Sequence, residues 1–210
     1  MSASPEAAYR EAPTELLDVG TGKLAFRRFG PADGERLLLI HGWPLSGFTW
    51  RKMLPELSAR FSCVTVDLIG AGDSEWMAEN DFSFHGHAAH LQRLARHLGW
   101  ESYRLIAHDT GATVARRLAV IEGERIRQGV YIDTEIPNHR PPLVPLFQAM
   151  VGLPGATALF GALMKSARFR RSKYGFGGCF VDKSLLDGAF HEGFVEPLLR
   201  DKRKLEGQMR

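Results

Sequence analysis

Strand-like and helix-like segments alternate along the chain from Leu24 to Ile132, and this alternation limits the possible folds most strongly. Residues 36–40 and 63–66 are short apolar runs that end abruptly at polar residues or glycine. Such runs are typical of buried strands that lead into loops. Alternating strands and helices favour a mostly parallel sheet with helices on both faces. The chain is therefore predicted to have an α/β fold.

The individual segments can be placed from apolar periodicity and from turn residues. The first strand alternates between apolar and polar side chains, so we expect it to be half exposed. The pattern predicts strands over 24–29, 36–40, 63–66, 103–106 and 130–132, and helices over 48–58, 88–98 and 112–121.

Beyond residue 135 the alternation stops, prolines cluster, and the pattern indicates helices without strands up to a charged helix over 198–210. We therefore predict a core over 1–135 and a helical lid over 136–210. The uncharged stretch 143–164 is long enough to cross a bilayer, which needs about 20 residues. Because Pro154-Gly155 would split it into two short helices, lid helices are favoured over a membrane span.

Composition narrows the class of protein further. Hydrophobic residues make up 44% of the chain and charged residues 24%, which is typical of a folded, water-soluble protein. The net charge is only +3, and the basic excess of residues 165–210 is interleaved with apolar residues. No nucleic-acid partner is predicted from such a pattern. Cys63 and Cys179 are too few for a disulfide framework, and without an apolar leader a cytoplasmic location is predicted.

The strongest local signal is the sequence Ala-His-Asp-Thr-Gly at residues 107–111, between a predicted strand and a predicted helix. A sharp strand-to-helix turn needs small residues on both sides of its apex, and Ala107 and Gly111 meet this requirement. Asp109 would then stand at the apex, with backbone N–H groups of the following helix directed at it. The alternative is that Asp109 is an ordinary helix N-cap.

Three motifs in order resemble the haloalkane dehalogenases and epoxide hydrolases of the α/β-hydrolase superfamily. They are His-Gly-Trp-Pro at 41–44, Asp-Leu-Ile-Gly-Ala-Gly-Asp-Ser at 67–74 and His-Asp-Thr-Gly at 108–111. The resemblance covers residues 24–135. It implies an α/β-hydrolase fold with an inserted helical lid, whose last core strands and helices are missing from this chain.

An aspartate at the apex can attack an alkyl carbon directly, without a base to activate it. Attack would open an epoxide or expel halide and leave an alkyl ester on Asp109. Water would then hydrolyse the ester with the help of a histidine base, an acid and an oxyanion hole. By family analogy the backbone N–H groups of Trp43 and Thr110 form that hole. No cofactor is implied.

The resemblance leaves the acid and the histidine open. Asp133 is a possible acid, because some family members carry theirs after the strand that follows the elbow. His139 and His191 lie in the predicted lid, where a non-catalytic role is favoured. Four further histidines, at positions 85, 87, 90 and 97, share one predicted helix, but their spacing predicts partly exposed side chains rather than a metal site.

The substrate is predicted to be small and apolar. The family's dehalogenases tend to carry tryptophan where this chain has Thr110, and its epoxide hydrolases use two lid tyrosines where this lid has only Tyr174. The glycine-rich, aromatic stretch 173–180 predicts a lid turn rather than a phosphate cradle. Substrate-binding residues are predicted at His41, Trp43, His108 and Tyr174. The alternative to an enzyme is a non-catalytic remnant of the fold that serves as a binding module.

Overall fold

In a computed structural model that describes residues 4–136 and 143–210, seven strands of the first part of the chain form a single sheet. The chain divides into two compact units, residues 1–137 and 138–210. The strands are β1 (Glu15–Asp18), β2 (Gly22–Phe29), β3 (Glu35–Ile40), β4 (Phe61–Asp67), β5 (Glu75–Trp76), β6 (Tyr103–His108) and β7 (Ile126–Ile132). The helices of the same unit are α1 (Pro5–Glu11), α2 (Leu54–Leu57), α3 (Phe84–His97) and α4 (Thr110–Glu122), with short 3₁₀ turns at Gly47–Lys52 and Gly123–Arg125.

The strand order is β1-β2-β4-β3-β6-β7, with β5 paired to β2 outside this path. Strands β4, β3, β6 and β7 run parallel to one another, whereas β2 pairs antiparallel with β4, β1 and β5. The carboxyl ends of β3, β4 and β6 therefore meet at one edge of the sheet. The three motifs singled out from the sequence follow these strand ends.

Helices cover both faces of the sheet, as two consecutive residues of β2 show. The Phe26 ring lies 6.4 Å from the His97 ring of α3, and the Arg27 guanidinium lies 4.9 Å from the ring centroid of Tyr9 in α1. Because consecutive side chains of a strand point to opposite faces, α1 and α3 lie on opposite sides. The predicted α/β class is confirmed.

The main core lies between one face of the sheet and helices α3 and α4. Its members include Leu38, Ile40, Val64, Val66 and Leu105 from the strands, and Ala88, Leu91, Leu94, Ala112, Ala115 and Leu118 from the helices. The alanines of α3 and α4 allow these helices to lie close to the sheet. Burial of large side chains such as Leu91 and Leu118 contributes about 2 kcal/mol each.

The second unit is helical wherever the structure describes secondary structure in it. It contains α5 (Leu143–Val151), α6 (Ala156–Lys165), α7 (Ala167–Arg170), a 3₁₀ turn at Lys183–Leu186, a π-helical turn at His191–Val195, α8 (Glu196–Arg200) and α9 (Lys202–Gly207). The break between α5 and α6 falls at Pro154-Gly155, where Gly155 has φ +84°. In the described ranges no helix combines the length and the apolar character that crossing a membrane requires.

Three details differ from the sequence-based predictions. The predicted helix over 48–58 is instead a 3₁₀ turn followed by the short α2. Pro55 at the start of α2 has no N–H group, so the backbone hydrogen bonds of one continuous helix cannot run through it. Strand β2 is almost entirely buried from Leu24 to Arg27, because helices cover both of its faces. The predicted helix over 198–210 is interrupted at Asp201, whose carboxylate caps α9.

Candidate functional site

The turn between β6 and α4 places Asp109 at its apex in a strained backbone conformation. Asp109 has φ 54° and ψ −132°, values that non-glycine residues rarely adopt. Its N–H bonds to the Ile132 carbonyl at the end of β7 at 3.0 Å, and its carbonyl accepts from Ala112 N at 2.9 Å. The neighbouring strand and the helix therefore hold the strained residue on both sides.

Two glycines make room for this turn. A Cβ at Gly111 would overlap the backbone carbonyl of His41, and a Cβ at Gly42 would lie 2.5 Å from both Cβ and Oδ2 of Asp109. Ala107 is fully buried. The small residue that the sequence predicted at Gly111 is thus required for a direct steric reason, and Ala107 lies in a buried position.

The Asp109 carboxylate is held by donors from the loop after β3 and from the first residue of α4. The Trp43 N–H lies 3.0 Å from Oδ2, the Thr110 hydroxyl lies 3.3 Å from the same oxygen, and the Thr110 backbone also donates to the carboxylate. Although Asp109 occupies the N-cap position of α4, its side chain makes no capping bond. This arrangement disagrees with the alternative of an ordinary N-cap.

Burial raises the pKa of Asp109 above its ordinary value, against the opposing effects of the Thr110 backbone bond, the nearby His108 and the Trp43 N–H. A partly desolvated carboxylate is a stronger nucleophile than one in bulk water, provided that it is ionised.

His41 follows β3 directly and is a buried link between two loops. It is 2% exposed, its Nδ1 lies 2.8 Å from the Gly42 carbonyl, and its Nε2 accepts from Leu68 N at 3.0 Å. Burial lowers its pKa, although the charge of Asp67 opposes this effect. A neutral ring with both nitrogens engaged links the loops after β3 and β4. This geometry argues against the predicted contact of His41 with substrate.

Asp67 at the end of β4 is the centre of a buried network that the sequence did not reveal. One carboxylate oxygen accepts from Gly47 N at 2.6 Å and the other from Asp73 N at 2.8 Å. Arg27 lies 3.8 Å from Asp67 and 2.7 Å from the Asp73 carboxylate. Arg27 could have indicated this network, because a charged residue within an apolar strand requires an oppositely charged partner when the strand is buried.

Replacing Gly72 by alanine is expected to destabilise the fold by about 3 kcal/mol, because the new Cβ would be strained at φ +52° and would overlap the Asp67 carboxylate. Gly99→Ala is the matched control, since Gly99 has φ +65° but no heavy atom within 4 Å of the added Cβ. It should cost only about 1 kcal/mol. Urea unfolding measures both; equal losses would disprove the steric part of this explanation.

The carboxylates that follow β7 have different surroundings. Asp133, the possible acid, is exposed and has φ 46°. Glu135 bonds to the hydroxyls of Thr113 and Thr134 and pairs with Arg116 at 3.2 Å. Burial acts to raise the pKa of Glu135, but these bonds lower it overall. Glu135 is thus engaged in an ion pair, and Asp133 remains the candidate acid.

The remaining predicted residues are spread over both units. His108 ends β6, and its Nδ1 is buried without a hydrogen-bond partner. Tyr174 belongs to the second unit, is 61% exposed, and has Lys173 Nζ 5.1 Å from its ring centroid. His191 begins the π-helical turn of the same unit, and His139 lies outside the described residues.

The described residues contain no group of three or more potential metal ligands. Of the four histidines of α3, His85, His87 and His97 are at least partly exposed, as predicted. The prediction is wrong for His90, which is 7% exposed, because it lies one helical turn before the buried Leu94 on the same side of α3. Burial lowers the pKa of His87 to about 4, so its ring is neutral at physiological pH.

The family model described as alpha/beta hydrolase fold matches residues 35–166, well over half of the chain. The chain belongs to the α/β-hydrolase family. The recognition of this family from the three motifs is confirmed, and so is the mostly parallel mixed sheet with its helices. The elbow, the Trp43 loop and the Asp67 network all lie in or directly beside the matched region.

Relatives of this α/β-hydrolase include enzymes of the two predicted kinds. The chain is 39% identical over 82 residues to the soluble epoxide hydrolase of Corynebacterium sp. strain C12, and 32% identical over 127 residues to the haloalkane dehalogenase of Bradyrhizobium diazoefficiens. It is also 43% identical over 91 residues to the magnesium-chelatase 30 kDa subunit of Rhodobacter capsulatus. The matches cover 39%, 60% and 43% of this chain, but only 28%, 39% and 32% of those proteins.

Solved structures show the same fold. Cfl2 from Burkholderia cenocepacia has a TM-score of 0.72 and 25% identity, with 93% of this chain and 68% of that chain covered. The epoxide hydrolase CorEH has a TM-score of 0.72 and 24% identity, with 94% and 72% covered. These relatives and structures are longer than the 210 residues of this chain.

Proposed function

We propose that this α/β-hydrolase uses Asp109 as a nucleophile toward a small apolar epoxide or organohalide. The observation that carries the proposal is the strained elbow, which presents a partly buried carboxylate with its Oδ2 bonded to Trp43 N. An ordinary N-cap needs neither the strain nor the donor from a second loop. The named relatives, an epoxide hydrolase and a haloalkane dehalogenase, support the same class of substrate.

In the proposed reaction, Oδ1 of Asp109 forms a bond to the electrophilic carbon, while the carbon–oxygen or carbon–halogen bond breaks and its electron pair leaves with the oxygen or halide. An epoxide oxygen then takes a proton from water. Oδ2 becomes the carbonyl oxygen of the alkyl ester, where Trp43 N continues to donate. No cofactor takes part in these steps.

The second step, hydrolysis of the ester by water, needs a base. In residues 4–136 the histidines that interact electrostatically with Asp109 are His41, whose two nitrogens are engaged, and His108, which makes no hydrogen bond to the carboxylate. We therefore propose that this chain by itself stops at the ester.

Covalent labelling tests the proposal. The background variant is Cys179→Ser, because the exposed thiol of Cys179 would itself react with electrophiles. Incubation with styrene oxide or with a short alkyl bromide should add one equivalent to the intact mass, and the adduct should persist for hours. Rapid loss of the adduct with release of a diol or an alcohol would contradict the proposal that this chain stops at the ester. Reversible binding without any adduct would support a binding module instead.

A further inference from the structure

The hydroxyl of Thr110, the first residue of α4, takes part in a compact triangle of polar atoms. Its Oγ1 lies 2.9 Å from Trp43 N and 3.3 Å from Asp109 Oδ2, and Trp43 N lies 3.0 Å from the same Oδ2. One N–H is therefore shared between a hydroxyl oxygen and a carboxylate oxygen. Since the Thr110 hydroxyl oxygen accepts from Trp43 N, the hydroxyl hydrogen is available to be donated to Asp109 Oδ2.

We propose that the Thr110 hydroxyl is a third donor of the oxyanion hole, which holds Asp109 Oδ2 in place and leaves Oδ1 as the attacking oxygen. The proposal rests on the function proposed for Asp109 and assigns the Thr110 side chain a catalytic role. The sequence-based prediction gave Thr110 only a backbone role in this hole.

The chemistry of both proposed states agrees with such a donor. A hydrogen bond to an ionised carboxylate is stronger than one to a neutral group, so the hydroxyl favours the reactive, ionised form of Asp109. After attack, Oδ2 is an ester carbonyl, and a donor at this oxygen stabilises the negative charge that develops when water adds. Because threonine is β-branched, its hydroxyl has few rotamers in a helix and is held in place.

The same triangle explains why this hydroxyl is not directed at a leaving group. Its acceptor side faces Trp43 N and its donor side faces Oδ2. A leaving halide or alkoxide must depart from the substrate carbon on the side opposite the attacking oxygen. The Thr110 hydroxyl is therefore assigned to the nucleophile and not to the departing group.

The test is a titration of the Asp109 carboxyl carbon by NMR, in protein labelled with ¹³C at aspartate and assigned with Asp109→Asn. Thr110→Val removes the hydroxyl at nearly constant volume and should raise the midpoint of Asp109 by about one pH unit, whereas Thr110→Ser should keep it. His41 and His108, the titratable groups whose charges act on Asp109 from the β3 loop and from β6, are unchanged in both variants. Thr110→Ala serves as a second deletion if the valine variant does not fold.

Thr113→Val is the matched control, since Thr113 lies on the same helix and its hydroxyl bonds to Glu135 instead. Its Asp109 midpoint should equal that of the wild type. An unshifted midpoint in Thr110→Val, or a serine variant that behaves like the valine variant, would overturn the proposal. These outcomes do not depend on covalent labelling, so a wild-type chain that forms no adduct would contradict the proposed function separately.

Discussion

Asp109→Asn is expected to abolish covalent labelling by styrene oxide or by the alkyl bromide, lowering the rate at least about a thousandfold. An amide nitrogen and an amide oxygen replace two carboxylate oxygens, and neither attacks a saturated carbon at a comparable rate. Labelling rates come from intact mass in the Cys179→Ser background, where the mass also confirms that the asparagine has not deamidated. Retained labelling at half the wild-type rate or more would exclude Asp109 as the nucleophile.

The same variant should fold and be at least as stable as the wild type at pH 7. Burial raises the folded-state pKa of Asp109, so its ionised form weakens folding above the unfolded-state pKa of about 3.9. Asparagine removes this charge and, like aspartate, tolerates positive φ. The stability difference should shrink as the pH falls below about 4, because the wild-type carboxyl is then neutral in both states. Thermal unfolding of the wild type and of Asp109→Asn, at pH 7 and below pH 4, measures this difference.

The second large effect is expected at Asp67. Replacing it by asparagine should destabilise the first unit by about 3–5 kcal/mol. The carboxylate accepts from Gly47 N and Asp73 N on opposite oxygens, but an amide has only one acceptor oxygen, so its NH₂ would face a backbone donor. Arg27, 8% exposed, would also lose a buried counter-charge.

Asp73→Asn is the matched control for this variant. Asp73 also contacts Arg27, at 2.7 Å, but its own side chain is 45% exposed, so water can replace much of its interaction and its loss should cost only about 1 kcal/mol. Chemical denaturation of both variants measures whether the backbone bonds of Asp67 or the ion pair with Arg27 contributes more to stability. Similar losses for Asp67→Asn and Asp73→Asn would mean that the ion pair with Arg27, rather than the backbone bonds, makes Asp67 important.

The fold and the elbow were accessible from the sequence for identifiable physical reasons. Buried parallel strands form continuous apolar runs, and the residues on either side of Asp109 must be small because the chain nearly touches itself there. The break at Pro154-Gly155 was predictable because proline and glycine end helices.

The sequence did not reveal features that depend on long-range partners. The prediction that β2 is half exposed was wrong. The periodicity of this strand could not show that α1 would cover the face of the sheet on which Arg27 lies. The hydrogen bonds of His41 and Asp67 are accepted from Leu68 N and Gly47 N. No sequence pattern indicates which backbone N–H groups will donate to a side chain. Likewise, the bond between Trp43 N and the Thr110 hydroxyl joins residues 67 positions apart and exists only once β3 and β6 are paired.

The measurement that tests the central claim most directly is the location of the adduct. Peptides of the labelled Cys179→Ser chain are separated and fragmented by mass spectrometry, before and after mild alkaline treatment. The added mass should lie on Asp109 as an ester, and alkali should remove it and regenerate an unmodified aspartate. An adduct that resists alkali, or that lies on a histidine, on Cys63 or on another carboxylate while Asp109 stays unmodified, would contradict the account.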